Sequence, residues 1–331
     1  MQSEKKKFQE NPVQGKGFPK EPAVDRNQSK EYKEMRSKLY AAKVEEVLGI
    51  WRENLIPFLR CLKDENVNVR MNAKIVFDRI HDEAVKLIIE ELKKSWNREF
   101  WVIVSDALGE RILDRPDYDW EPAALALNRG LRINNSDVYE HASAALMNLG
   151  GKAIPIFIED LRASKERMRW RAATILGKMA ERHPEYEWGA AAVELVCSLS
   201  DDEKWVREEA CKAIGRIGKR ALDGLKDGLK RGSPASRKHF MEAFGLVGDV
   251  SEFGILLEAV NDGEKDVRSG AFAALSKIAE RYPHEVAAYV AGLINGNMGD
   301  ELIEINLRNG RVIDALHTAM MVCGVKMREG E

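Results

Sequence analysis

A short motif returns seven times along this chain, and that recurrence limits the possible folds more than any other feature. The motif is an apolar residue, usually followed by Arg, with Ala three positions after the Arg and a small–apolar–Gly ending. It reads Val69-Arg70 with Ala73 and Val76-Phe77, then Phe100 with Val104 and Ala107-Leu108-Gly109, then Val138 with Ala142 and Ala145-Leu146. It continues as Met168-Arg169 with Ala172 and Ile175-Leu176-Gly177, and Val206-Arg207 with Ala210 and Ala213-Ile214-Gly215. Ser236-Arg237 with Phe240 and Ala243-Phe244-Gly245, and Val267-Arg268 with Ala271 and Ala274-Leu275, complete the set. The copies start 31, 38, 30, 38, 30 and 31 residues apart, which is the period of a helix pair. Longer matches share this register. Pro116-Asp117-Tyr118-Asp119-Trp120 returns 68 residues later as Pro184-Glu185-Tyr186-Glu187-Trp188, and Ala180-Glu181-Arg182-His183-Pro184 returns 99 residues later as Ala279-Glu280-Arg281-Tyr282-Pro283.

Between motif helices lies a second amphipathic segment, as in Ala84 to Leu92, Ala153 to Leu161, Ala190 to Leu199, Phe253 to Val260 and Val286 to Ile294. Each unit therefore reads as helix, turn, helix. Pro57 and Pro155 sit near the starts of such first helices, where a missing amide costs little. Asp64, Asp201 and Asp262 stand five residues before a motif, placed to cap the amides of the helix that follows. Period-two strands are absent, and Asn295-Gly296 reads as a helix C-cap. Residues 1–30 are polar, contain Pro12, Pro19 and Pro22 and show no apolar period, so they read as a flexible tail. Residues 31–331 read as the repeat array. In it Glu31 to Ile50, with Tyr32, Met35, Leu39, Ala42, Val44 and Leu48 at helical spacing, forms an N-terminal capping helix, and the end of the chain forms an atypical C-terminal cap.

Charged residues make up 32% of the chain, which suits long solvated helix faces, but their signs balance to a net charge of −2. The chain as a whole has no long-range pull on nucleic acid or anionic membrane. No apolar run reaches the length of a membrane span, and Lys5-Lys6-Lys7 has no apolar segment behind it, so a cytoplasmic protein is expected. Cys61, Cys197, Cys211 and Cys323 form no Cys-x-x-Cys pair and are expected to be reduced core residues.

The unit resembles the HEAT repeat and its bilin-lyase-like variant, in which an Asp precedes a Val-Arg-x-x-Ala run; the match covers residues 51 to 295. The resemblance implies an all-α fold, an α-solenoid superhelix of seven to eight tandem helix pairs. It also implies a ladder between adjacent units joining Asp64, Asp201 and Asp262 to Arg70, Arg169, Arg207, Arg237 and Arg268. Trp101 and Tyr139 replace Arg in two copies, where the ladder should break. Such repeats occur in scaffolds, transport receptors, regulators and a few enzymes, so the fold does not name the activity.

Catalytic readings find little footing. HEAT-like di-iron hydroxylases distribute several His-Glu pairs over their repeats, whereas only His284-Glu285 forms one here, and no paired His provides two ligands on one helix face. No phosphate loop, dinucleotide fingerprint or nucleophile elbow is present. The expectation is a non-catalytic binding scaffold or adaptor with no cofactor and no metal. HEAT-like DNA glycosylases supply the alternative, nucleic-acid binding. Residues 162–240 hold 18 Lys and Arg against 12 Asp and Glu, and Trp101, Asp106, Trp170 and Arg171 could line a groove.

The helical wheel indicates where a protein or peptide partner would sit. With the first motif residue as zero, positions 0, 4, 7, 8 and 11 share one face and form the core, so positions 2 and 6 point away from it. In a HEAT-like stack the second helix lines the concave side. Met71, Ile75, Val102, Asp106, Trp170, Thr174 and Lys212 are therefore the expected partner-binding residues, apolar in the early units and charged in the later ones.

Overall fold

The computed structural model describes residues 29–294 and 310–323, and its helices pack as two compact units, one ending at Leu149 and one beginning at Gly150. The described residues are helical with no strand. In the first unit α1 (Lys30–Tyr40) and α2 (Val44–Ile50) precede the pairs α3 (Leu55–Cys61) with α4 (Val67–Arg79), α5 (His81–Lys94) with α6 (Arg98–Asp114), and α7 (Glu121–Gly130) with α8 (Ser136–Met147). The second unit pairs α9 (Ile154–Leu161) with α10 (Glu166–Arg182), α11 (Gly189–Ser198) with α12 (Lys204–Ile217), α13 (Leu222–Arg231) with α14 (Pro234–Val247), and α15 (Phe253–Ala259) with α16 (Lys265–Arg281). The last helices are α17 (Pro283–Ile294) and α18 (Gly310–Val322).

The capping segment differs from its expectation. It is two helices, because Ala42 takes a left-handed φ of 56° and ends the first. The break resets the helical phase, so Val47 is buried while Ala42 is exposed and Val44 and Leu48 are half-buried. The tail boundary also moves, since the Ser29 side chain accepts the Tyr32 amide as the N-cap of α1 and Lys30 is already helical. Most of the expected tail and the Asn295-Gly296 turn lie outside the described residues.

In every motif helix the residues at positions 0, 4, 7 and 8 are buried, from Val69, Ala73, Val76 and Phe77 in α4 to Val267, Ala271, Ala274 and Leu275 in α16. Ala and Val at these places let helices approach closely while removing apolar area from water. Glycine at position 9 decides how closely. A Cβ on Gly109, Gly177 or Gly245 would lie 3.3, 3.2 or 3.0 Å from the Cα of Ala145, Ala213 or Ala274, so α6/α8, α10/α12 and α14/α16 form tight seams. In α4 position 9 is Asp78, and α4 and α6 barely approach. Ion pairs bridge that seam instead, with Arg111 to Asp78 at 2.8 Å and Lys74 to Asp114 at 3.3 Å around a cavity of about 530 Å³. Arg111 occupies core position 11 of its motif, 3% exposed, with its guanidinium 5.3 Å from the Phe77 ring centre.

The Asp–Arg ladder is present, with a first rung that the motif did not contain. Arg36 of α1 grips Asp64 through Nε at 2.7 Å and Nη2 at 3.2 Å, Arg169 grips Asp201 at 2.5 and 2.9 Å, and Arg237 grips Asp262 at 2.8 and 3.0 Å. Planar two-point pairing of this kind suits guanidinium and carboxylate. Each Asp also accepts the amide two residues on, from Asn66, Glu203 or Glu264, so it fixes the turn just ahead of the helix rather than capping the helix itself. From the following helix Arg70, Arg207 and Arg268 donate back to the carbonyls of Asp64, Asp201 and Asp262 at 2.6, 2.6 and 2.8 Å. Each of these turns is therefore clamped by two arginines. Neither Arg70 nor Arg207 meets an Asp ahead, because Ser95 and Arg231 stand where the next Asp would be. Trp101 breaks only half of its rung, since its indole N–H donates to the Ser95 carbonyl, six residues back, as the arginines do.

The two Pro-acid-Tyr-acid-Trp copies fold alike. Trp120 and Trp188 are buried, and each indole donates 2.9 Å to a carbonyl five residues back, on Arg115 and His183. In the first copy His81 is boxed by Phe77, Tyr118 and Trp120, with ring centres 5.6, 4.4 and 5.4 Å away. Two cysteines leave the expected core, since Cys61 and Cys211 are buried but Cys197 is exposed and Cys323 half-buried.

Candidate functional site

The same wheel that buries positions 0, 4, 7 and 8 leaves positions 2 and 6 unburied on every motif helix. In the first unit Met71 and Ile75, one turn apart on α4, are 58% and 44% exposed. An exposed Met–Ile pair is apolar surface that stands open among the described residues. Val102 and Asp106 of α6 line a separate cavity of about 620 Å³, shared with α1 through Tyr32 and Arg36, with α3 through Leu59, and with Lys63 in the turn after α3. Asp106 is occupied there by His141 Nδ1 at 2.5 Å and Lys63 Nζ at 3.3 Å, so it sets local charge rather than waiting for a ligand.

In the second unit Trp170 and Trp205 lie side by side, ring centres 5.9 Å apart and planes at 43°. Trp170 is half-buried and Trp205 is 37% exposed, with its indole N–H donated to Glu203 at 2.8 Å. Thr174 adds little polarity, because its hydroxyl donates to the Trp170 carbonyl at 2.9 Å. Lys212 stands away from this pair, in a groove of about 540 Å³ between α12, α14 and α16. The seven expected residues are thus grouped as Met71 with Ile75, Val102 with Asp106, Trp170 with Thr174, and Lys212 with a separate set of charges.

Trp205, Lys238, Leu246 and Lys277 complete these surfaces, and of them only Lys238 occupies position 2 or 6. A wheel signal existed for Trp205. It sits at position −1, about 20° from position 6 on an ideal helix. Leu246 and Lys277 sit at position 10 of their motifs, which widens the same face. The glycosylase-like set is not assembled, since Trp101 and Arg171 are buried at 1% and 6%. Part of the basic excess is also already paired, with Arg169 and Arg237 in rungs and the exposed Arg162 on Glu194 at 2.8 Å. No described helix is long and apolar enough to cross a membrane.

The family model for HEAT repeats matches residues 154–239 and 192–276, in register with the α9-to-α16 pairs. Residues 154–276 are therefore HEAT repeats, within an all-α fold of helix pairs. The chain is also similar to a solved importin beta, at 14% identity over 88% of this chain and 41% of that one, with a TM-score of 0.49. An engineered protein is similar at 15% identity over 91% of this chain and 98% of that one, TM-score 0.33. A designed armadillo repeat protein is similar at 17% identity over 71% and 98%, TM-score 0.28. No curated protein matches the chain.

Proposed function

We propose that this chain is a non-catalytic scaffold that holds a protein or peptide partner on the exposed faces of its motif helices. The observation that carries this reading is the strict division of each motif helix. Four positions are sealed into the core, and two are left unburied, with the exposed Met71 and Ile75 and the half-buried Trp170 among them. Apolar and aromatic side chains kept out of the core are what a binding surface needs and a free surface does not. In the same reading Val102, Asp106, Thr174 and Lys212 flank the contact and orient it, the array opens with α1 at Lys30, and the residues ahead of Ser29 stay outside it as a tail. The clamped Asp turns support placing the repeats in the bilin-lyase-like variant, and the charge balance suits a protein of the cytoplasm.

A photo-crosslinking residue placed at 71, 75 or 170 in the native cell tests this. It is expected to trap the same protein from these sites and not from Leu125 or Val193, which are 54% and 56% exposed on first helices. Crosslinks that are absent, or equally strong from Leu125 and Val193, would remove the assignment.

A further inference from the structure

The groove between α12, α14 and α16 carries a chemical preference of its own, which rests on the scaffold reading. Its floor is apolar, with Cys211, Ala273 and the 39% exposed Leu246. Three lysines, Lys212, Lys238 and Lys277, and three carboxylates, Glu208, Glu242 and Asp266, surround it. The carboxylates are already served. Glu208 pairs with Lys204 at 3.5 Å, Glu242 takes a 3.0 Å contact from His239 that holds it below the usual carboxylate range, and Asp266 lies in the first turn of α16, where helix amides favour negative charge. Lys212 pairs with a carboxylate, Glu209, at 3.1 Å. Lys238 and Lys277 enter no ion pair among the described residues, yet both act on Glu242, and Lys277 and Lys212 both act on the Cys211 thiol, so the cations converge on one place.

We propose that this groove binds an acidic peptide segment in which carboxylates alternate with apolar side chains. The carboxylates meet Lys238 and Lys277, and an apolar side chain lies on Leu246 and Ala273. A continuous polyanion fits worse, because Glu208, Glu242 and Asp266 line the same walls and repel phosphates that have no gap between them. The binding is non-covalent, since burial pushes the Cys211 thiol up to about 12 and leaves it protonated.

Fluorescence anisotropy of the full chain tests this with a labelled peptide of repeated Glu-Leu pairs, a matching Lys-Leu peptide and a single-stranded oligonucleotide. The Glu-Leu peptide is expected to bind at low salt and to weaken steadily as salt rises, because these lysines are solvent-facing. Lys238→Glu with Lys277→Glu should weaken it about tenfold or more, and Leu125→Glu, on an exposed first-helix face outside the groove, should leave it unchanged. The neutral pair Lys238→Gln with Lys277→Gln, with its melting curve, separates lost charge from lost fold. No binding at low salt, binding indifferent to the lysine variants, or tighter binding of the oligonucleotide overturns the proposal. Tighter binding of the Lys-Leu peptide through this groove overturns the acidic preference while leaving the scaffold intact, whereas failure of the crosslinking removes the scaffold itself.

Discussion

The seam between α14 and α16 and the seam between α4 and α6 join the same kind of helix in the same repeat, yet one is closed and the other open. Gly245 lets the Ala274 backbone approach until a Cβ would be 3.0 Å away, and the two helices pack along their length. Asp78 stands at the matching place in α4, and there Arg111, Lys74 and Asp114 bridge the gap with ion pairs. One residue per repeat therefore selects between packing held by dispersion and apolar burial and packing held by charge. The first resists substitution and tolerates salt; the second leaves a cavity lined by Lys74, Asp78, Arg111 and Asp114.

The largest expected effect comes from filling the closed seam. Gly245→Val places branched carbons against the Ala274 backbone, and strain should outweigh the gain in helix propensity, costing about 3 kcal/mol in chemical denaturation. A neutral result would mean the seam has slack. Next is Asp201→Ala, which leaves the Arg169 guanidinium, 18% exposed, without its carboxylate and should cost about 2–3 kcal/mol. Burial and then Arg169 set the Asp201 carboxyl in opposite directions, and Arg169, the Glu203 amide and Arg207 prevail, so it lies below the usual carboxylate range. Its contribution is therefore present above the unfolded value of 3.8 and lost as pH falls below it, and the Asp201→Ala variant should lack that part of the acid transition.

His81, beside the open seam, adds a milder acid sensitivity. Burial, then Arg115, lowers its pKa from 6.5, with Asp82 and Asp78 opposing and Arg111 adding to the depression. A base with a depressed folded pKa stabilises above its unfolded value, so this contribution is lost as pH falls below 6.5. His81→Phe keeps the aromatic box and should flatten the stability profile in that range; an unchanged profile would show that His81 does not titrate there. The smallest effect is expected at the open seam itself, where Lys74→Ala removes a half-exposed pair and should cost under about 0.5 kcal/mol, with less loss still at high salt.

Much of this was legible in the chain. The periodicity of Val69, Ala73, Val76 and Phe77 marked a buried face, and the spacing of Asp201 marked it as a turn residue, but as a helix cap; the Arg207 bond to its carbonyl showed only in the structure. The small–apolar–Gly ending was visible as a repeat signature, but its meaning as a packing distance required the partner alanine in the next helix. Arg36 was hidden because α1 lacks the rest of the motif, and the break at Ala42 because a left-handed alanine has no sequence marker. Arg111 occupies a core position on the wheel, and only the Asp78 and Phe77 it meets across the seam explain its burial. For the outer face, the wheel placed Met71 and Ile75 in solvent and left Trp170 half-buried. It did not separate free side chains from engaged ones such as Asp106 and Thr174, because hydrogen bonding is not periodic.

The central claim is that the core of each motif helix holds the fold while its outer face holds a partner. It is tested most directly by measuring Met71→Glu and Trp170→Ala side by side, for melting temperature and for affinity toward the protein trapped from position 71 or 170. Weakened capture with a nearly unchanged melting temperature is the predicted result. Unfolding by both substitutions, with no selective loss of binding, would place these residues in the core and contradict the account.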